Sequence, residues 1–204
     1  MAAPPKTVLH ASAEEEKAIR EAVRNADPTT LGPGRFLAHE RHAEAVLDLL
    51  ADPAVSEPIY ALPKPLTLTS VRGWIEDCEA ARKRGEGLLI LSGPEGGPVM
   101  GYSKVTVWPD RASAELGGAI RASLQNSGGG GAGAAHTIGW IFKTLNVRLI
   151  CLTAATDNVR SAKLIDRMGF KRLGERDATR PDGTIRHSIY WELTAQEWAA
   201  LTGR

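Results

Sequence analysis

The residues most able to do chemistry by their spacing lie in Gln125-Asn-Ser-Gly-Gly-Gly-Gly-Ala-Gly-Ala-Ala, where Gly128, Gly129, Gly130, Gly131, Ala132 and Gly133 run in succession. Backbone stripped of side chains lets a ligand approach its N–H groups closely. Consecutive amides at the start of a helix form a concavity suited to phosphate. Three phosphate-binding patterns compete for the stretch. A Walker A loop needs Gly-Lys-Ser/Thr at its end for an ammonium and a Mg²⁺ ligand, and neither residue follows. A Rossmann fingerprint is formally present as Gly128-x-Gly130-x-x-Gly133. Its context fails, because Arg121–Ser127 separates it from the preceding strand and position 153, where an acid belongs, is threonine. The pattern Gln/Arg-x-x-Gly-x-Gly/Ala is satisfied by Gln125, Gly128 and Gly130 between a strand and a helix, and it suits a pyrophosphate. A flexible linker is the plain alternative for any glycine run.

Other reactive types are sparse. His39 and His42 are three residues apart without an evident third ligand, and no Cys/His grouping has zinc spacing, so no metal is expected. Cys78 and Cys151 are too far apart for a redox pair, and free cysteines suit a reducing cytoplasm. Asn158 has the position of a helix N-cap. Arg160, Lys163 and Arg167 put three cations on one helix, either as a solvated face or, Lys163 foremost, as a phosphate contact.

These residues must be carried by one domain with a modest extension, since the chain has 204 residues. It is 43% apolar and 24% charged, a globular composition. Only 5% of residues are aromatic, so the core rests on Ala, Leu, Ile and Val. A formal charge of +1 gives no general reason to bind nucleic acid or an anionic membrane. No apolar leader or membrane-length apolar run is present, and a cytoplasmic location is expected.

Ser12-Ala-Glu-Glu has capping-box spacing, and Ala18, Ile19, Ala22 and Val23 continue as an apolar stripe, which predicts a helix ended by Asp27-Pro28. Strands are expected at 35–38, 88–91, 99–108, 114–120, 148–153, 170–176 and 185–193. Helices are expected at 41–51, 69–84, 134–145 and 158–168. Runs of strands around a central strand–loop–helix–strand indicate a mixed α/β sheet.

Ala114-Glu-Leu-Gly-Gly-Ala-Ile120, the glycine loop, Asp157-Asn-Val-Arg-Ser161, Met168-Gly-Phe170, Asp182-Gly183 and Glu197-Trp198 follow one another in order. Together they resemble the GCN5-related N-acetyltransferase (GNAT) superfamily, in its branch like the ribosomal-protein N-terminal acetyltransferases. The resemblance runs from about residue 34 to 198. It implies a GNAT-like acyl-CoA N-acyltransferase fold over 34–198, α/β (α+β) with a mixed, mostly antiparallel central sheet flanked by helices, an N-terminal extension with one amphipathic helix at 1–33, and a tail at 199–204.

The same resemblance implies acetyl-CoA as cosubstrate, with its pyrophosphate on the amides of 128–133 and its pantetheine beside Gly118, Ala119 and Ile120. Gln125 then contacts phosphate or closes the loop, and Asn158 touches the pantetheine arm as well as capping its helix. Glu115, ten residues before Gln125, stands where members often carry a general base. Where many carry a tyrosine acid this chain has Ile165, and Ser161 is the substitute. The implied activity is acetyl transfer to a primary amine, by direct attack in a ternary complex. Delivering a neutral α-amine costs roughly 3 kcal/mol less at neutral pH than delivering a neutral lysine, which favours a peptide N-terminus or a small α-amine. Aminoglycoside or polyamine acceptors are alternatives. A degenerate acyl-CoA binding or sensing module and an NAD-dependent oxidoreductase are readings from other classes. Tyr60, His187 and Tyr190 are candidates for the acceptor side. The N-terminal helix could cap that site, join a homodimer interface or pack on the core.

Overall fold

The computed structural model describes residues 4–94, 96–125, 129–180 and 182–203. Gly128 lies outside the described residues. Seven strands form one sheet: β1 (Arg35–Leu37), β2 (Gly87–Ser92), β3 (Gly101–Trp108), β4 (Ser113–Ile120), β5 (Leu149–Ala155), β6 (Lys171–Thr179) and β7 (Ile185–Thr194). Their order is β1-β2-β3-β4-β5-β7-β6, and every pairing is antiparallel except β4 with β5. The sheet is therefore mixed, as the order of elements predicts, and mostly antiparallel, as the resemblance implies.

Alternation along the strands sends side chains to two faces. Ile90, Val107, Ala114, Ile150 and Leu193 meet α1 (Ala13–Asn25), α5 (Gly129–Leu145) and α6 (Val159–Arg167) on one face. Leu89, Leu91 and Tyr102 lie on the other, under α2 (Ala43–Leu50) and α4 (Leu68–Arg84). The apolar positions of α4, Val71, Trp74, Ile75 and Cys78, recur every three or four residues and fall on its buried face. Asp52-Pro53 ends α2, but Asp52 also caps one further turn, α3 (Pro53–Ser56), by accepting from the Ala54 amide. The chain closes with α7 (Ala195–Thr202), held by a reciprocal Thr194–Glu197 capping box.

Ile19 and Val23 of α1 are wholly buried in the same core cluster as α5 and the sheet. Ahead of α1, the Lys6 amide donates to the Tyr190 hydroxyl and the Thr7 amide to Glu192 Oε1, each at 3.0 Å. This segment lies over the β7 side chains of the second face.

The parallel ladder is the feature that shapes the site. β4 and β5 pair only at Ser113↔Leu149, Ala114↔Ile150 and Glu115↔Cys151. Beyond Glu115, β4 continues to Ile120 beside β3, and β5 continues to Ala155 beside β7. The sheet thus opens into a wedge, with the β4 edge over 116–120 carrying no pairing to β5.

Candidate active site

Glu115 sits at the apex of the wedge, on the face that carries Leu89 and Tyr102. It is only 8% exposed. The Tyr60 hydroxyl lies 3.5 and 3.4 Å from its two carboxylate oxygens, and Thr153 Oγ1 lies 3.5 Å from Oε1. These are long contacts that leave the carboxylate under-solvated. Burial pushes the Glu115 carboxyl above its ordinary range, and the Arg186 guanidinium and the Tyr60 hydroxyl partly oppose the rise. A buried carboxylate with a raised pKa is a better proton acceptor than one in water.

One side of the cleft is built by the 57–67 loop folded against β7. Arg186 donates through Nη2 to Thr153 Oγ1 at 2.7 Å and through Nη1 to the Pro58 carbonyl at 3.2 Å. Its guanidinium also lies 4.3 Å from the Tyr60 ring centroid, a cation–π contact. A Lys64–Asp182 ion pair of 3.2 Å ties the same loop to the β6–β7 turn. Trp74 and Tyr102 meet edge to face, centroids 5.5 Å apart, and both line the cleft. Burial holds the phenols of Tyr60 and Tyr102 protonated, well above their ordinary pKa.

On the other side of the apex, Gly118, Asn158 and Ser161 line the cleft that Glu115 lines. Asn158 Oδ1 accepts from the Ser161 amide at 3.1 Å, which makes Asn158 the N-cap of α6. Ser161 is half-buried in the first turn that this cap secures. A Cβ on Gly118 would meet the Tyr102 carbonyl at 2.4 Å, whereas one on Gly117 meets nothing. Gly118 is therefore required by the approach of β3, whatever else passes along this edge.

The glycine stretch differs in form from a free loop. Gly129, Gly130, Gly131, Ala132 and Gly133 are already helical, so α5 is described from five residues before the expected start at Ala134. The amides of a first helical turn have no intrahelical acceptor and carry the positive end of the helix dipole. Gly131 faces α6 closely, its added Cβ falling 3.1 Å from Leu164 Cδ1, while nothing within 4 Å explains Gly133. Gln125 reaches back, donating from Nε2 to the Ile120 carbonyl at 3.1 Å and accepting from Arg160 at 2.6 Å. It thus clamps the loop to the end of β4 and to α6.

The wedge, the unpaired β4 edge and the bare first turn of α5 together fit an extended ligand with an anionic end. The edge offers backbone hydrogen bonds to an arm lying in the wedge, and the helix start offers amides to an anion. Glu115, Gly118, Asn158 and Ser161 share the cleft wall; Ala119, Ile120, Gln125, Ala132 and Lys163 do not line it, and Lys163 is exposed. Among the described residues no group of three or more His, Cys, Asp or Glu is placed to hold a metal.

Lys104, Thr153 and Arg186 line the cleft but carry no motif or spacing signal. Only their alternation on β3, β5 and β7, once the pairings are known, puts them on the Glu115 face. Two acceptor-side candidates lie elsewhere. His187 points away from Arg186 and pairs with Asp177 at 2.8 Å in solvent. Tyr190 is wholly buried beneath the N-terminal segment.

The model of the Acetyltransferase (GNAT) domain matches residues 35–171. A search of the curated proteins finds no significant match. Among solved structures, the ribosomal-protein-S5-alanine acetyltransferase from Vibrio fischeri is similar at a TM-score of 0.67 and 15% identity, over 80% of this chain and 93% of that one. The Mycobacterium smegmatis RimJ in complex with CoA-disulfide is similar at a TM-score of 0.67 and 20% identity, over 83% of this chain and 88% of that one. The ribosomal-protein-alanine N-acetyltransferase from Brucella melitensis gives a TM-score of 0.60 at 18% identity, over 78% and 98%. Sheet order, the parted β4–β5 ladder and the match over most of the chain agree: this protein belongs to the GNAT acetyltransferase family.

Proposed function

We propose that this acetyltransferase moves an acetyl group from acetyl-CoA to a primary α-amine, of a peptide N-terminus or a small molecule, within a ternary complex. One observation carries the proposal: the buried Glu115 carboxylate at the apex of the wedge, between a donor side edged by β4 and an acceptor side walled by Tyr60 and Arg186. Glu115 takes a proton from the ammonium, through water. The amine nitrogen forms its bond to the acetyl carbonyl carbon as the carbon–sulfur bond breaks, and the second proton that the nitrogen must lose to become an amide leaves through water to solvent. Backbone amides near Ile120 polarise that carbonyl. The departing thiolate takes a proton from the Ser161 hydroxyl, which recovers one from solvent. Coenzyme A supplies the activated acetyl group; the first turn of α5 and the free β4 edge bind it, and Asn158 and Lys163 support its arm and its phosphates.

Peptide or protein acceptors draw support from the acceptors named for the Vibrio fischeri and Brucella melitensis proteins. The catalytic unit in this reading spans 34–198, with 1–33 an extension whose helix packs into the common core, and the site of action is the cytoplasm. Ile165 is buried in the core and offers no acid, which favours the competing reading of a binding module without chemistry.

Thiol release from acetyl-CoA across a panel of amines separates the two. Turnover with at least one amine, and its loss in Glu115→Gln, supports the transferase. Tight coenzyme binding without release from any amine, and no effect of the substitution, overturns it. NAD binding in place of coenzyme A would revive the oxidoreductase reading.

A further inference from the structure

The charged side chains lining the cleft, among the described residues, are Glu115, Lys104 and Arg186. Two cations thus face one carboxylate. Arg186 is 6% exposed and makes no ion pair among the described residues; its two bonded nitrogens meet neutral oxygens, Thr153 Oγ1 and the Pro58 carbonyl. Its Nε is buried with no acceptor, and so is the indole N–H of Trp74 on the same cleft wall. Lys104 stands two residues from Thr106, the β3 partner of Glu115, on the same face and likewise without an ion pair.

The buried guanidinium shares the Thr153 hydroxyl with Glu115, its opposite charge on the cleft wall, so among the cleft-lining charges one carboxylate serves two cations. A primary amine arrives as an ammonium ion at neutral pH. Of the three charges it meets, two repel it. A polyamine or an aminoglycoside brings several positive charges and multiplies that penalty. An acceptor with a carboxylate near its amine reverses the balance: ammonium toward Glu115, carboxylate toward Lys104 and Arg186. Guanidinium and carboxylate match in shape as well as charge.

We propose that the acceptor is an amine bearing a nearby carboxylate, recognised by Lys104 and Arg186, either a free amino acid or a peptide with an acidic first residue. The proposal rests on the amine-acetylation reading above and narrows its substrate class.

The test uses thiol release from acetyl-CoA with matched acceptors, compared per unprotonated amine. Asp-Ala-Ala-amide against Asn-Ala-Ala-amide forms the peptide arm, glycine against glycinamide the amino-acid arm, and spermidine is the polycation. The acid member of at least one pair is expected to exceed its neutral partner by about tenfold or more in kcat/KM. That ratio falls toward one in Lys104→Met and in Arg186→Met. Because Arg186 is buried and its variant could misfold, Lys104→Met alone suffices. Thermal stabilisation by the acid but not by its neutral partner, lost in Lys104→Met, reads the carboxylate site without turnover. If no amine gives thiol release and this stabilisation remains, the transfer reading falls and the carboxylate site stands. Equal or better use of the neutral partners or of spermidine overturns the inference while leaving acetyl transfer intact. Absence of both release and stabilisation overturns both.

Discussion

Glu115 and Cys151 are the last facing residues of the parallel β4–β5 ladder, and past them the two strands separate. Both are buried, Cys151 wholly so, and burial drives the thiol far above its ordinary pKa. The carboxyl is thus held where the two strands part, with buried residues beneath it and an open cleft above.

Replacing that carboxylate with its amide keeps the shape and removes the base. Glu115→Gln is expected to lower kcat/KM for the best amine by about 10²–10⁴-fold. The thermal stabilisation by coenzyme A is expected to persist, since the donor edge does not depend on the charge. Steady-state thiol release and a thermal melt with coenzyme A check the two halves.

Tyr60 donates toward the ionised form of Glu115, which holds the carboxyl lower than burial alone would. Tyr60→Phe therefore raises the Glu115 pKa. The acidic limb of the pH profile of kcat/KM is expected to move to higher pH, while the rate at its plateau falls less than in Glu115→Gln. An acidic limb that stays in place would remove Tyr60 from the site.

The raised Glu115 pKa has a consequence for stability. Because the folded protein holds this proton more tightly than the unfolded chain, its contribution is full below the unfolded carboxyl pKa and is lost as pH rises through the raised folded value. Glu115→Gln does not titrate. The melting temperature of Glu115→Gln minus that of the native protein is expected to increase with pH across that window, in melts taken at matched ionic strength.

Asn158 and Ser161 share one hydrogen bond but should separate by experiment. Asn158→Ala removes the cap of α6 and is expected to cost about 1 kcal/mol in denaturant unfolding. Ser161→Ala leaves that bond intact, because only the Ser161 amide takes part in it. It is expected to leave stability within about 0.5 kcal/mol of the native protein and to lower kcat by about tenfold or more.

Gly118 is fixed by β3. Gly118→Ala drives a Cβ into the Tyr102 carbonyl and is expected to cost about 1–3 kcal/mol by shifting the β3–β4 ladder. Gly117→Ala, which meets open space, is expected to be nearly neutral in the same unfolding measurement.

Local signals carried much of the fold. The helix periods of α1, α2 and α4, the caps at Ser12 and Asn158, and the alternating strands are properties of a few neighbouring residues, so they are written in the chain itself. The strand–Gln-x-x-Gly-x-Gly–helix order is likewise a local pattern, readable from a few neighbouring residues. The helical state of Gly129–Gly133 was not legible: glycine disfavours helix, and at Gly131 packing against Leu164 accompanies it.

The cleft around Glu115 shows the sharper division. Glu115 could be singled out from its place in a motif, but its burial could not, since that needs Tyr60, Thr153 and Arg186 from three distant segments. Lys104, Thr153 and Arg186 have no shared spacing; strand register alone sets them on one face. By itself the sequence determined the elements, their order and the glycine-rich turn, all products of local backbone preference and side-chain period. Tertiary structure decided where the β4–β5 ladder ends, and hence that one carboxylate stands buried at the apex of a wedge with two cations facing it. That is a matter of long-range pairing, and no local pattern encodes it.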